Sequence, residues 1–424
     1  MMNRVVVTGM GVCAPGAVGL QALDELLSEG KSGIAHSSEL QKLNFSCQVI
    51  GKPNIETVNL NDYFTNVQLK GLNASGLIYG VISGMDAWKD AGFEAEKTKT
   101  PDWDCGIIFG TGILGVDKFR ESIHKVDAGE VRRLGSTAVV QTMASGISAF
   151  LGGMIGAGNQ VTTNSSACTT GTEAILMGYE RIQLGKAKKM LVGSCSDSGP
   201  YVWGGFDAMR ILPRKFNENP ERASRPMSAS AAGFVPGSGA GALVLESLQS
   251  AQERGAKIYA EVLGGCINSG GQRNGGSMTA PNSEAVQQCI KGALRDASVE
   301  TNAIDTINGH LTATAKDPIE IENWSTALNL SGERFPYVNS FKGNFGHCLA
   351  AAGSIESVGT VLQIHNKKIY GTINCEDVHP EIEKLVHPNK IPHKTLTIAP
   401  KIMAKASFGF GDVNACVIFS SFSD

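Results

Sequence analysis

The sequence predicts an α/β protein built from two similar halves. Three observations support this: short apolar runs of strand length recur along the chain, helical stretches separate them, and the pattern restarts near residue 256. The predicted strands of the first half are Arg4–Thr8, Gly106–Phe109, Val161–Ser166, Met190–Gly193 and Ala242–Leu245. Those of the second half are Lys257–Leu263, Ile304–Ile307 and Cys416–Phe419. Two α/β halves of unequal length indicate a duplicated architecture.

The clearest helix pattern follows the first strand of the second half. Asn282 or Ser283 can cap its start, and apolar residues then continue at helical spacing to Ala297. No low-complexity linker separates the halves, so the boundary is placed in Gln252–Gly255. The two predicted domains are residues 1–253 and 254–424.

Composition excludes several classes of protein. The 424 residues include 37 Lys and Arg and 40 Asp and Glu, a net charge of −3, which disfavours a general polyanion binder. Apolar residues make up 42% and charged residues 18%, a composition typical of a large folded core. No run of about 18 apolar residues occurs, so we expect no membrane-spanning helix. Ten cysteines lie singly, without zinc spacing or an export signal, which favours reduced thiols in the cytoplasm.

Cys168 is the best candidate nucleophile. A strand-like run ends in small polar residues, Cys168 follows, and a helical pattern begins immediately after it. At a helix start, free N–H groups and the helix dipole favour a thiolate, so we expect a lowered thiol pKa. Small neighbours leave room for a substrate. The alternative is a buried structural cysteine.

Two histidines are candidate partners of the cysteine. His310 follows the predicted strand Ile304–Ile307, and α/β proteins place their sites at the carboxyl ends of strands. His347 lies in a Gly- and Ala-rich turn, and Glu356 follows nine residues later on a predicted helix. A metal site is disfavoured, because the histidines come from separate segments without HxH or HxxxH spacing.

Two glycine-rich segments also draw attention. Gly409 and Gly411 flank Phe410 before the last strand, where they allow unusual backbone angles and can aim an N–H into a cavity. The alternative there is a simple hairpin turn. Gly110–Gly115 reads GxGxxG, but neither an acidic residue at the expected distance nor GK[ST] supports a nucleotide site.

Together these segments resemble the β-ketoacyl-acyl carrier protein synthases of the elongating type. The resemblance runs from the first predicted strand to the last. It is carried by Cys168 on a strand-to-helix turn, His310-x-Thr-x-Thr, Lys342 before Gly346-His347, the Gly-Phe-Gly loop, Ser224-Arg-Pro226, residues 233–241 and the opening RVVVTGMG.

The resemblance implies the thiolase fold, in which two similar α/β halves form five layers, α-β-α-β-α. It also implies a decarboxylative Claisen condensation. An acyl chain would move from acyl carrier protein to Cys168, and malonyl on a second carrier would lose carbon dioxide and attack it. The implied partners are acyl carrier protein and a second synthase chain, as a homodimer or as a heterodimer with a ketosynthase-like subunit. No metal or redox cofactor is implied, because the pantetheine thioester supplies the activation. Neither nucleic acid nor a membrane is an implied partner.

The resemblance also assigns roles to individual residues. His310 and His347 would stabilise the enolate, and the backbone amides of Cys168 and Phe410 would bind the other oxyanion. Lys342 would orient the histidine region and pair with Glu356. The pantetheine arm would contact Thr312 and Thr314, and the acyl pocket would be lined by Ile113, Leu114 and Phe206.

Several positions depart from the family pattern. Leu311 and Asp412 replace glycines of the two loops, Val413 replaces a threonine, and Leu114 stands where many members have glycine. The acid that follows the His310 loop is either Asp317 or Glu320. These departures lead us to expect a shorter or redirected acyl pocket and a more restricted Phe410 loop.

Three alternatives remain on this fold. A thiolase would need a second catalytic cysteine near Phe410, and a chain-initiating synthase would have asparagine in place of His347. A chain-length-setting partner subunit would have lost the nucleophile. Whether the enzyme serves general fatty-acid elongation or a specialised polyketide or polyene pathway is left open.

Overall fold

The computed structural model describes residues 2–95 and 99–423. Its strands are β1 Val5–Ala14, β2 Ala17–Val18, β3 Ile34–His36, β4 Val49–Gly51, β5 Cys105–Thr111, β6 Val161–Thr162, β7 Lys189–Ser196, β8 Gly239–Ser247, β9 Ala260–Ser269, β10 Thr306–Asn308, β11 Tyr337–Asn339, β12 Ile402–Gly409 and β13 Val413–Ser420.

The α-helices alternate with these strands through most of the chain. They are α1 Leu20–Ser28, α2 Ser38–Lys42, α3 Asn66–Leu69, α4 Ser75–Asp90, α5 Val116–Asp127, α6 Ala138–Thr142, α7 Gly146–Ile155, α8 Thr170–Gln183, α9 Pro200–Ala208, α10 Leu248–Glu253, α11 Ser283–Asp296, α12 Asp317–Leu328, α13 Lys342–Phe345, α14 Ala352–His365 and α15 Pro380–Glu383. Within the described ranges, no helix combines the length and the apolar character needed to cross a bilayer.

The duplicated architecture is visible in the order of the strands. The first half forms β6-β5-β7-β8-β1, and the second half forms β11-β10-β12-β13-β9. In both halves the first two pairings are parallel and the last two antiparallel. The half-sheets join where β1 pairs with β9, from Val5 opposite Val262 to Val7 opposite Ala260.

Helices α8 and α14 lie between the two half-sheets and contact each other. Helices α4 and α7 cover the outer face of the first half-sheet, and α11 with α12 covers the second. Three buried hydrophobic clusters fill the spaces between these layers. This is the five-layered thiolase arrangement expected from the sequence. The boundary at residues 253 and 254 stays a prediction; it falls between α10 and β9.

Some predicted element bounds are wrong. The strand expected over Val161–Ser166 ends at Thr162, and the amide of Ser166 donates instead to Thr170 Oγ1 at the start of α8. The strand β12 was not predicted, since Lys405 interrupts its apolar pattern. By contrast, α11 begins as expected, with Asn282 accepting hydrogen bonds from the amides of Glu284 and Ala285.

Candidate active site

Cys168 lies in a 3₁₀ turn, Ala167–Thr169, that leads directly into α8. Ala167 has φ +49°, a left-handed conformation that disfavours any residue with a Cβ. The side chain of Thr170 holds the turn closed: its Oγ1 donates to Ala167 O at 2.7 Å and accepts from Ser166 N at 2.9 Å. The strained turn presents the Cys168 thiol to a cavity rather than to the core.

His310 follows β10, at the carboxyl end of a parallel strand. Both candidate acids after this loop, Asp317 and Glu320, accept hydrogen bonds from its backbone amides. Glu320 accepts from the amides of His310 and Leu311 at 2.7 Å each, whereas Asp317 accepts from those of Thr312 and Ala313 at 3.0 and 3.1 Å. Burial raises the pKa of Asp317 to about 6 and that of Glu320 to about 7.

Leu311 occupies the position that is usually glycine, and its φ is +23°. Its side chain is fully buried in the outer cluster of the second half. The strained backbone is therefore held by packing of the leucine and by its hydrogen bond to Glu320.

Hydrogen bonds hold both the backbone and the imidazole ring of His347. Its amide donates to Val235 O at 2.8 Å, and its Nδ1 accepts from the amide of Leu349 at 3.2 Å. An Nδ1 that accepts a hydrogen bond leaves the proton of a neutral imidazole on Nε2. His347 therefore offers an Nε2–H donor.

The structure brings Cys168, His310 and His347 together. Their reactive atoms all lie within 4.8 Å of one another, and the two imidazole rings are 5.2 Å apart, centroid to centroid. Burial, followed by the positive charge of Lys342, holds the pKa of both histidines well below the usual range. Both imidazoles are therefore neutral near pH 7.

The expected lowering of the Cys168 pKa is wrong for the resting site. Burial raises the pKa of this thiol to about 11, although N–H groups of Phe410 and of Cys168 itself oppose the rise. The N–H donors at the helix start stabilise the thiolate, but the loss of its hydration on burial destabilises it by more. Cys168 therefore rests as a thiol.

A cavity of about 900 Å³ opens above the three groups. Most of the predicted site residues line it, including Ile113, Phe206, Thr312, Thr314, Gly409 and Phe410. Leu114 does not line this cavity, and its assignment to the acyl pocket stays a prediction. Successive side chains here point in opposite directions, so Ile113 is 52% exposed while Leu114 packs into the outer core of the first half.

Lys342 and Glu356 form a buried ion pair beneath the histidines. A second buried lysine, Lys405 of β12, places Nζ 2.9 Å from the other carboxylate oxygen of Glu356. Sequence reasoning missed Lys405. The signal available was a lysine in the run Ile-Met-Ala-Lys-Ala, where apolar residues surround it on both sides.

The Phe410 loop lies directly against the nucleophile. A Cβ on Gly409 would be 3.1 Å from the amide nitrogen of Cys168, so the residue at this position must be small. Phe410 faces Phe206, with ring centroids 6.2 Å apart. Gly411, at φ +89°, donates from its amide to Met278 O at 2.9 Å.

Asp412 anchors the same loop to the cavity mouth. It is fully buried at φ +62°, and its carboxylate accepts from the amides of Gln272 and Asn282 at 2.8 Å each. The segment between those two residues contributes Asn274 and Thr279 to the cavity wall.

Comparison with known proteins agrees with this site. Residues 2–251 match the beta-ketoacyl synthase N-terminal domain and residues 259–376 its C-terminal domain. The chain is 31% identical to 3-oxoacyl-[acyl-carrier-protein] synthase 2 of Vibrio harveyi, covering 100% of this chain and 99% of that protein. It is also 31% identical to synthase 1 of Escherichia coli K12, with 100% of both chains covered.

Solved structures give the same result. A beta-ketoacyl synthase from Burkholderia phymatum superposes with a TM-score of 0.89 at 26% identity over the full length of both chains. A chain from a complex of a type II PKS acyl-carrier protein with its ketosynthase gives 0.87 at 27% identity, again over both full lengths. With this architecture, and with the cysteine and both histidines in one cavity, the chain belongs to the β-ketoacyl synthase family.

Proposed function

We propose that this protein is a β-ketoacyl-acyl carrier protein synthase that condenses malonyl, carried on acyl carrier protein, with an acyl group held on Cys168. The observation that carries the proposal is the placement of Cys168, His310 and His347 within 4.8 Å of one another at one cavity. The reaction extends an acyl chain in fatty-acid or polyketide synthesis.

In the first half-reaction, the Cys168 sulfur attacks the acyl thioester. The S–C bond to Cys168 forms, the bond to the pantetheine sulfur breaks, and the thiol proton ends on that leaving sulfur. Because the pKa of Cys168 is about 11, the proton must leave as the bond forms, and a neutral imidazole lies within reach to carry it. The amides of Cys168 and Phe410 are the donors for the transient oxyanion.

In the second half-reaction, malonyl loses carbon dioxide and its thioester becomes an enolate. Neutral N–H donors from His310 and His347 stabilise the enolate oxygen. The carbanion then attacks the acyl carbon, the C–S bond to Cys168 breaks, and the released thiolate takes up a proton. The products are β-ketoacyl carrier, carbon dioxide and free Cys168.

The remaining site residues have positioning roles in this proposal. Thr312 and Thr314 line the cavity wall and are suited to bind the amides of the pantetheine arm. Phe410 separates the nucleophile from the acyl part of the cavity, near Phe206 and Ile113. Lys342 and Glu356 support the histidines from below. No metal or redox cofactor enters either half-reaction.

Acyl carrier protein and a second synthase chain are the proposed partners. Exposed apolar side chains occur at the cavity, along α5 and on α6. A group of exposed apolar side chains is typical of a surface that binds another protein. They are Ile113, Phe119, Ile123, Val126 and Val139. A second chain of the same fold, identical or ketosynthase-like, would cover them, and Ile113 would then line the acyl pocket at the interface. We place the enzyme in the cytoplasm.

The test is turnover of the purified chain with malonyl carrier and acyl carrier, followed by mass spectrometry of the carrier-bound product. We expect β-ketoacyl carrier from the parent and none from Cys168→Ser. If the chain alone gives no product, and a second ketosynthase-like chain restores activity equally well with Cys168→Ser, this protein is a chain-length-setting subunit instead.

A further inference from the structure

We propose that Lys405 is a second cation of the catalytic centre, a positioning residue that shares Glu356 with Lys342 and acts on His310 and His347. The inference rests on the proposed function and adds a residue to it. Lys405 touches neither the cavity nor Cys168, so it acts through the groups above it.

Lys405 is a fully buried lysine in the middle of β12. Its Nζ is 2.9 Å from Glu356 Oε2 and 3.2 Å from Ser407 Oγ, and it donates to Ala406 O. Lys342 occupies the other oxygen of the same carboxylate. Each oxygen of Glu356 therefore faces its own lysine.

The charges at Glu356 itself do not cancel. Two ammonium groups face this one carboxylate, so these three groups are net positive when both lysines are protonated, and Glu320 is the next acid that acts on Lys405. Burial and Lys342 lower the pKa of Lys405, whereas Glu356 and Glu320 raise it. The titratable groups around it come from six segments: Lys342 of α13, Glu356 of α14, Glu320 of α12, Cys416 of β13, His310 after β10, and His347 before α14.

A positive charge near a histidine favours its neutral form. The charge of Lys405 lowers the pKa of both His310 and His347. Neutral imidazoles suit the decarboxylation step. An imidazolium would pair with the malonyl carboxylate and stabilise the ground state, whereas a neutral N–H donor interacts most strongly with the enolate oxygen that develops later. Removal of Lys405 should therefore make the histidines easier to protonate and slow the enzyme in mild acid.

The test compares Lys405→Met, Lys405→Gln and the exposed control Lys401→Met. Methionine removes both the charge and the hydrogen bonds, while glutamine removes the charge and retains a donor for Glu356. The first readout is the pH profile of malonyl decarboxylation. The second is NMR titration of the two imidazoles, assigned with His310→Ala and His347→Ala, which needs no enzyme activity.

We expect both Lys405 variants to move the acid limb of the profile, and the imidazole titrations, to higher pH by about one pH unit. Lys401→Met should match the parent. Unchanged titrations in both Lys405 variants would overturn the inference, as would a shift in Lys405→Met alone, since that would point to hydrogen bonding rather than charge. If the titrations shift in a chain that does not condense, the Lys405 inference stands and the proposed function fails.

Discussion

Gly171 and Gly353 meet where the two central helices touch. A Cβ on Gly171 would lie 2.3 Å from the backbone nitrogen of Ser354, and one on Gly353 would lie 2.6 Å from that of Thr172. Gly171 comes three residues after the nucleophile and Gly353 six residues after His347. This contact sets the distance between the elements that carry the cysteine and the second histidine.

Gly171→Ala should therefore damage both stability and catalysis. Backbone atoms receive the added methyl group, so it cannot be accommodated by a side-chain shift, and we expect a loss of at least about 1–3 kcal/mol in the free energy of unfolding. The control is Gly153→Ala in α7, where the new Cβ would have no atom within 4 Å apart from the neighbouring backbone of its own helix. That variant should be unchanged or stabilised by up to about 1 kcal/mol. Denaturant unfolding measures both; equal stabilities would contradict the close contact.

Cys168→Ser should lower condensation by several orders of magnitude, because a hydroxyl is a far weaker acceptor for a thioester than sulfur. The fold should survive, since serine is tolerated at helix starts. Mass spectrometry should find no acyl adduct on the variant. Cys416→Ala, which removes a buried thiol of β13, should still load acyl groups. An inactive Cys416→Ala beside an active Cys168→Ser would refute the assignment.

His310→Ala and His347→Ala should impair decarboxylation more than acyl loading. Each removes an N–H donor for the enolate, a loss worth about 3–4 kcal/mol. The loading step takes its oxyanion donors from backbone amides, and each single variant keeps the other imidazole as a carrier of the thiol proton. Carbon dioxide release and the acyl-enzyme mass separate the two half-reactions. Normal carbon dioxide release with failed loading in both variants would argue against these roles.

The thiol of Cys168 should react with iodoacetamide increasingly fast as pH rises. Its pKa of about 11 means that the thiolate fraction, and with it the rate, grows about tenfold per pH unit between pH 7 and 10. Half-buried Cys266 is the internal contrast: its interaction with Cys289 lowers its pKa, so its rate should level off at a lower pH than that of Cys168. Peptide mass spectrometry resolves the two sites. A plateau near pH 7 at Cys168 would mean that the helix start outweighs burial.

Asp412→Gly should broaden the range of acyl chains that the enzyme extends. The aspartate ties the Phe410 loop to Gln272 and Asn282, and its removal frees that loop while glycine adopts the same positive φ without strain. The measurement is kcat/KM over a chain-length series of acyl carriers. Val413→Thr leaves the anchor in place and should keep the parental profile. An unchanged profile in Asp412→Gly would show that the anchor does not limit chain length.

Local sequence patterns predict the family, the duplicated α/β architecture and the candidate reactive groups, because each is carried by residues that are close together in the chain. The cysteine at a strand-to-helix turn is recognised from a few neighbouring residues, and so is each histidine beside small residues. Local patterns did not indicate that Leu114 is buried beside the exposed Ile113, because the direction of these side chains depends on how the chain leaves β5.

The surroundings of the reactive groups depend on how distant segments of the chain pack together. The resting protonation of Cys168 follows from burial by distant segments, which outweighs the local helix start. Asp317 and Glu320 accept hydrogen bonds from different amides of the His310 loop, because α12, which carries both acids, packs against that loop. Lys405 reaches Glu356 only because β12 and α14 pack together, although 49 residues separate the two in the chain. Burial and long-range charge act through space, and a linear pattern does not record them.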